Sequence, residues 1–98
     1  ERKTREVREV ELRMRALDLF NHRQVELIRH ALKHPGQRYT FESHRMSHNV
    51  TYQTSRKDLM GMQERGLLEQ RKRGKLTLFI APADLQERLL KLEQQERL

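Results

Sequence analysis

Val50-Thr51-Tyr52-Gln53-Thr54-Ser55-Arg56-Lys57-Asp58-Leu59-Met60-Gly61-Met62-Gln63-Glu64-Arg65-Gly66-Leu67-Leu68 is the stretch that decides how this chain folds. Thr51 is a good helix N-cap, because its hydroxyl can accept from a free backbone N–H of the first turn. A helix is expected over 52–65. At helical spacing Ser55, Leu59 and Met62 fall on one face, while Gln53, Arg56, Lys57 and Met60 fall mostly on the other. Gly66 suits the left-handed residue that ends such a helix. Val50 is expected to anchor the entering turn in the core, and Leu67-Leu68 to open a strand.

Working outward, residues 67–73 read as a strand, Gly74 as a turn and 76–81 as the returning strand. Pro82 closes the sheet and starts a last helix over 83–96, with Leu85, Leu89 and Leu92 on one face. Upstream, Asn21 caps a helix over 22–34 whose apolar stripe is Val25, Ile28, Ala31 and Leu32. His34-Pro35-Gly36 ends it, since proline cannot continue the hydrogen-bond ladder. Tyr39-Thr40-Phe41 reads as a short extended piece, followed by a helix over 41–48 and a turn at His48-Asn49. Residues 1–19 read as a further helix, with a short seam of Val7, Val10, Met14 and Leu17.

The order of helix, short strand, helix, turn, helix and hairpin is the winged helix-turn-helix plan. The string from Val50 to Leu68 is also similar to winged-helix regulators. The expected class is mainly α (α+β), a winged helix-turn-helix with a two-stranded wing and extra N- and C-terminal helices. Three parts are expected: residues 1–19 as a connecting helix from an upstream domain, 20–81 as the winged unit, and 82–98 as the C-terminal helix.

Composition narrows the function. The chain has 98 residues, 35% of them hydrophobic and 36% charged, too few apolar residues for a deep, dry substrate pocket. It has no cysteine, so disulfides, thiolate metal sites and thiol catalysis are excluded. Its longest apolar run falls far short of the ~20 residues of a membrane span. The expected location is the cytoplasm, as a fragment of a longer protein. The net charge is +7, and residues 20–81 hold all of it. A one-signed field on a compact unit points to a polyanion, with double-stranded DNA first.

If the 52–65 helix enters a major groove, its first turns face the bases. Thr51, Tyr52, Gln53, Thr54 and Arg56 are then the candidates, with Gln53 suited to adenine and Arg56 to guanine or a phosphate. Lys57 is placed to reach backbone. Arg71, Lys72, Arg73 and Lys75 surround Gly74 at the hairpin tip and suit phosphates or a minor groove.

His30/His34 and His44/His48 each have the i, i+4 spacing that can share a metal, but neither pair has a third ligand nearby in sequence, and no metal is expected. His30 and His34 fall on a polar face; His44 and His48 are expected to turn inward in hydrogen-bonded structural roles. No phosphate-cradling glycine loop, nucleophile–base motif or carboxylate pair appears, so this stretch is not expected to be an enzyme.

The segment from Tyr39-Thr-Phe-Glu-Ser-His-Arg-Met-Ser-His-Asn-Val-Thr-Tyr-Gln-Thr to Gly66-Leu67-Leu68-Glu69 resembles the C-terminal winged-helix extension of bacterial Fic-family (filamentation induced by cyclic AMP) proteins. The similarity spans about Leu19 to Leu85. It implies an upstream Fic domain that transfers AMP from ATP, with magnesium, to a protein hydroxyl through a His-Pro-Phe-x-(Asp/Glu)-Gly-Asn-Gly-Arg loop. His34-Pro35-Gly36-Gln37-Arg38 echoes only the ends of that loop, so no catalytic residue carries over.

Two function classes follow. The leading one is a module that binds duplex DNA. The alternative is a protein-interaction module that recruits the target of the Fic domain, regulates that domain, or pairs two copies through the terminal helices. RNA is the weaker third reading, because a single-strand binder needs interleaved aromatic side chains and the chain has only three Phe and two Tyr.

Overall fold

The structure, a computed structural model, describes residues 19–96. The expected connecting helix and its Val7–Leu17 seam lie outside the described residues. Four helices and three strands are described: α1 His22–Lys33, β1 Arg38–Tyr39, α2 Phe41–His48, α3 Tyr52–Glu64, β2 Glu69–Arg73, β3 Leu76–Ile80 and α4 Leu85–Glu96. Together they form a small α+β unit with an antiparallel sheet in the order β1-β3-β2.

Local chemistry sets the helix starts. Asn21 and Gln24 form a reciprocal capping box at α1, and Thr40 and Ser43 form one at α2. Thr51 caps α3 by accepting from the Thr54 N–H. The stops are equally local. Asn49 takes a left-handed φ of 51° after α2, and Gly66 takes 78° after α3. Helix α1 ends at Lys33, with His34 as its cap rather than its last turn.

Several boundaries differ from the expectation for physical reasons. The extended piece is Arg38–Tyr39, not Tyr39-Thr40-Phe41, because the Thr40 cap commits Phe41 to the first turn of α2. β2 begins at Glu69, two residues later than expected. Its first partner is Ile80, and beyond that Ala81 turns aside to bond Gly36 and Gln37. Leu67 and Leu68 therefore have no ladder to join and plug the core instead, both at 2% exposure or less. α4 starts at Leu85 rather than 83.

The core joins Val25, Leu27, Ile28 and Ala31 of α1 to Leu59 and Met62 of α3, Phe79 of β3, and Leu85 and Leu89 of α4. Leu27 was not in the expected stripe; α1 buries a wider face because it packs on both α3 and α4. Met60 packs partly against the core instead of lying with the polar face. Val50 is only half-buried and is no part of the core cluster. Arg88 of α4 donates to the Gly66 carbonyl at 2.9 Å and so ties the last helix to the turn after α3.

Candidate nucleic-acid interface

Helix α3 is held from behind by its single aspartate. Asp58 is 3% exposed, yet its carboxylate has four hydrogen bonds. Asn21 Nδ2 donates to Oδ1 at 2.8 Å, Arg23 donates through Nε at 2.7 Å and Nη2 at 3.2 Å, and His44 Nε2 lies 2.9 Å from Oδ2. Burial alone would raise the Asp58 carboxyl, but these donors outweigh it and hold its pKa below the ordinary aspartate range. Arg23 is correspondingly raised by its bond to Asp58. Gln24 adds a bond to the Asp58 carbonyl, and Ser55 Oγ donates to the Phe41 carbonyl at 2.6 Å. Helices α1, α2 and α3 are thereby fixed against one another by polar contacts as well as by the core.

Asp58 was not among the residues expected to matter. Its signal was present in the pattern, since position 58 completes the 55, 58, 59, 62 stripe that faces inward. A charged residue there has to be paired. His44 is buried and hydrogen-bonded, as expected of an inward structural group.

The outward half of α3 presents Tyr52, Gln53, Arg56 and Lys57, all exposed. Tyr52 packs edge-on against Phe41, with ring centres 5.6 Å apart, and is still 49% exposed. The Arg56 guanidinium sits 5.6 Å over the same Phe41 ring, which in turn packs on Phe79 of the sheet. That stack links the first turns of α3 to β3. Thr51 and Thr54 are bonded to each other, through the cap and hydroxyl to hydroxyl at 3.0 Å, so both are engaged in starting the helix.

Arg71, Lys72, Arg73 and Lys75 are all exposed, and Gly74 turns the hairpin with φ 63°. The pleat separates them. Gln70 pairs with buried Phe79 and Lys72 with Thr77, so Lys72 stands on the sheet face that meets α2 and α3. Arg71 and Arg73 pair with Leu78 and Leu76 on the reverse face. Of the four cations expected as one cluster, Lys72 therefore lies on one face and Arg71 and Arg73 on the other, with Lys75 in the turn between the strands.

The paired histidines pack ring on ring, 4.5 Å between centres for His30/His34 and 4.7 Å for His44/His48. Among the described residues no group of three or more His, Asp or Glu is placed to hold a metal ion. Among the same residues no helix is long and apolar enough to cross a membrane. No protein-family model matches the chain, nor does any curated protein or solved structure.

Proposed function

We propose that residues 20–81 are a winged helix-turn-helix module that binds duplex DNA, with α3 as the helix that enters the major groove. The observation that carries this reading is the sidedness of α3. Between Thr51 and Lys57 its outward face holds Tyr, Gln, Arg and Lys and no acid, while its nearest acid, Asp58, is turned inward and neutralised. Gln53 and Arg56 are the base-reading residues in this arrangement, and Tyr52, Thr51, Thr54 and Lys57 border the backbone. Lys72 extends the cationic surface on the same side, Lys75 stands in the hairpin turn, and Arg71 and Arg73 lie on the reverse face of the sheet.

The likeness of the 39–69 segment to Fic-family extensions supports placing this module behind a domain that transfers AMP from ATP. DNA binding would then localise that activity. The test is fluorescence anisotropy of residues 20–98 on labelled duplexes across a salt series. With about five phosphate contacts, log K against log salt should fall with a slope of about −4 to −5. Absence of any binding at low salt would refute the proposal.

A further inference from the structure

Phe41 backs the outward face of α3, and three elements fix it there. The Thr40 cap commits it to the first position of α2. Its carbonyl accepts from the fully buried Ser55 hydroxyl at 2.6 Å, and its ring packs edge-on against Phe79 of β3, with centres 5.2 Å apart. α2, α3 and β3 thus each hold one part of this half-buried residue. The rest of the ring is shared by two exposed side chains one turn apart on α3, Tyr52 and Arg56, each at 5.6 Å.

That contact sets Arg56 apart from the cation beside it. Among the described residues Arg56 has no carboxylate partner and donates no hydrogen bond; the Phe41 ring is its contact. Asp58, the next acid along the helix, is taken up by Arg23 and His44 on the inner side. Neighbouring Lys57 is exposed and rests on no ring among the same residues. The attraction of a guanidinium for an aromatic ring acts between its charge and the negative face of the ring. It consumes none of the five N–H donors in the guanidinium plane, which are the donors that guanine takes through O6 and N7. A mobile arginine must be ordered as it docks. One already resting on a fixed ring has less freedom to lose.

We propose that Phe41 is a positioning residue for base reading: it holds Arg56 against its ring so that the guanidinium edge is presented to a guanine in the major groove. The role rests on the duplex-binding reading above and adds to it one selected base and the residue that sets the selection.

The probes are a duplex recovered by selection from a randomised pool with the full chain, copies of it with each guanine in turn replaced by 7-deazaguanine, which lacks the N7 acceptor, and an unrelated duplex. For wild type, replacement at one guanine should weaken binding about tenfold, and Arg56→Ala should be indifferent to that replacement. Phe41→Leu should weaken the selected duplex about fivefold, the cost of ordering one long side chain, and leave the unrelated duplex unchanged. In an Arg56→Ala background Phe41→Leu should add nothing. A purely structural Phe41 would lower both duplexes and both backgrounds alike. The free wild-type protein supplies a reading that needs no variant and decides the matter should Phe41→Leu fail to fold: the Arg56 Nε–H proton should lie upfield of an unstacked arginine, moved by the ring current of Phe41. Failure of wild type to bind any duplex would remove the DNA reading and this role with it. Where wild type binds, an unshifted Arg56 proton, indifference to every deazaguanine, no loss or an equal loss on both duplexes from Phe41→Leu, or additive losses from the two substitutions would each overturn the Phe41 role and leave the DNA reading standing.

Discussion

His44 Nε2 and Asp58 Oδ2 meet at 2.9 Å across the α2–α3 junction, and both side chains are almost completely withdrawn from water. A buried ion so placed stabilises the fold only while its partners remain. Asp58→Ala strands the His44 N–H and the Arg23 guanidinium and should cost about 3 kcal/mol in urea unfolding. Asp58→Asn, which keeps an acceptor, should cost less. Equal stability of Asp58→Ala and wild type would show that the network is incidental.

The same groups set the pH response. Asp58 has a depressed folded pKa, so its contribution is complete above the unfolded value of about 3.9 and is lost as pH falls through the folded pKa. His30 and His48 are also depressed, which means the unfolded chain takes up their protons first, from about pH 6.5 downward. Stability should therefore decline in two steps, between about pH 7 and 5 and again below about pH 4. Chemical denaturation at fixed pH should show the first step shrink in His48→Gln and the second in Asp58→Asn.

Two glycines of α3 and its exit should respond to alanine with opposite signs. Gly66 has φ 78° and open space around a new Cβ, so Gly66→Ala should destabilise by about 1 kcal/mol through the backbone alone. Gly61 lies inside the helix with ordinary φ, and its new Cβ would meet only Gln24 Nε2 at 3.4 Å. Gly61→Ala should stabilise by up to about 1 kcal/mol. Thermal unfolding of the pair is the check.

For the DNA reading, the pleat makes a prediction that charge counting does not. Lys72→Ala and Lys57→Ala should each reduce the salt slope by about one, while Arg71→Ala and Arg73→Ala should have smaller effects. Changing Arg71, Lys72 and Arg73 together should weaken all duplexes evenly, and Gln53→Ala should alter sequence preference. Anisotropy titrations on a panel of duplexes separate these outcomes.

What was legible in the sequence was the part governed by neighbours. The caps at Asn21 and Thr51, the left-handed Gly66 and the bounds of α2 at 41 and 48 depend on residues within one helical turn. What was not legible depends on distant partners. Asn21 and Asp58 are 37 residues apart, and the pairing of Arg38 with Ile80 spans most of the described chain. Without β3 in view, nothing local shows that β1 is two residues long or that β2 starts after Leu68. The exposed candidates on α3 were legible because helical spacing separates them from Ser55, Leu59 and Met62. The division of the hairpin cations was hidden, because it follows from the register of Lys72 with Thr77.

The strand order β1-β3-β2 places Leu-Thr-Leu-Phe-Ile, the most apolar strand, between two others. Among the described residues the long outer rim of the sheet belongs instead to Glu-Gln-Arg-Lys-Arg. A second chain approaching that rim to add a strand would bring like charges into register and meet repulsion before any hydrogen bond formed. The same basic residues thus guard the domain against fibre growth at high concentration, whatever polyanion they also serve.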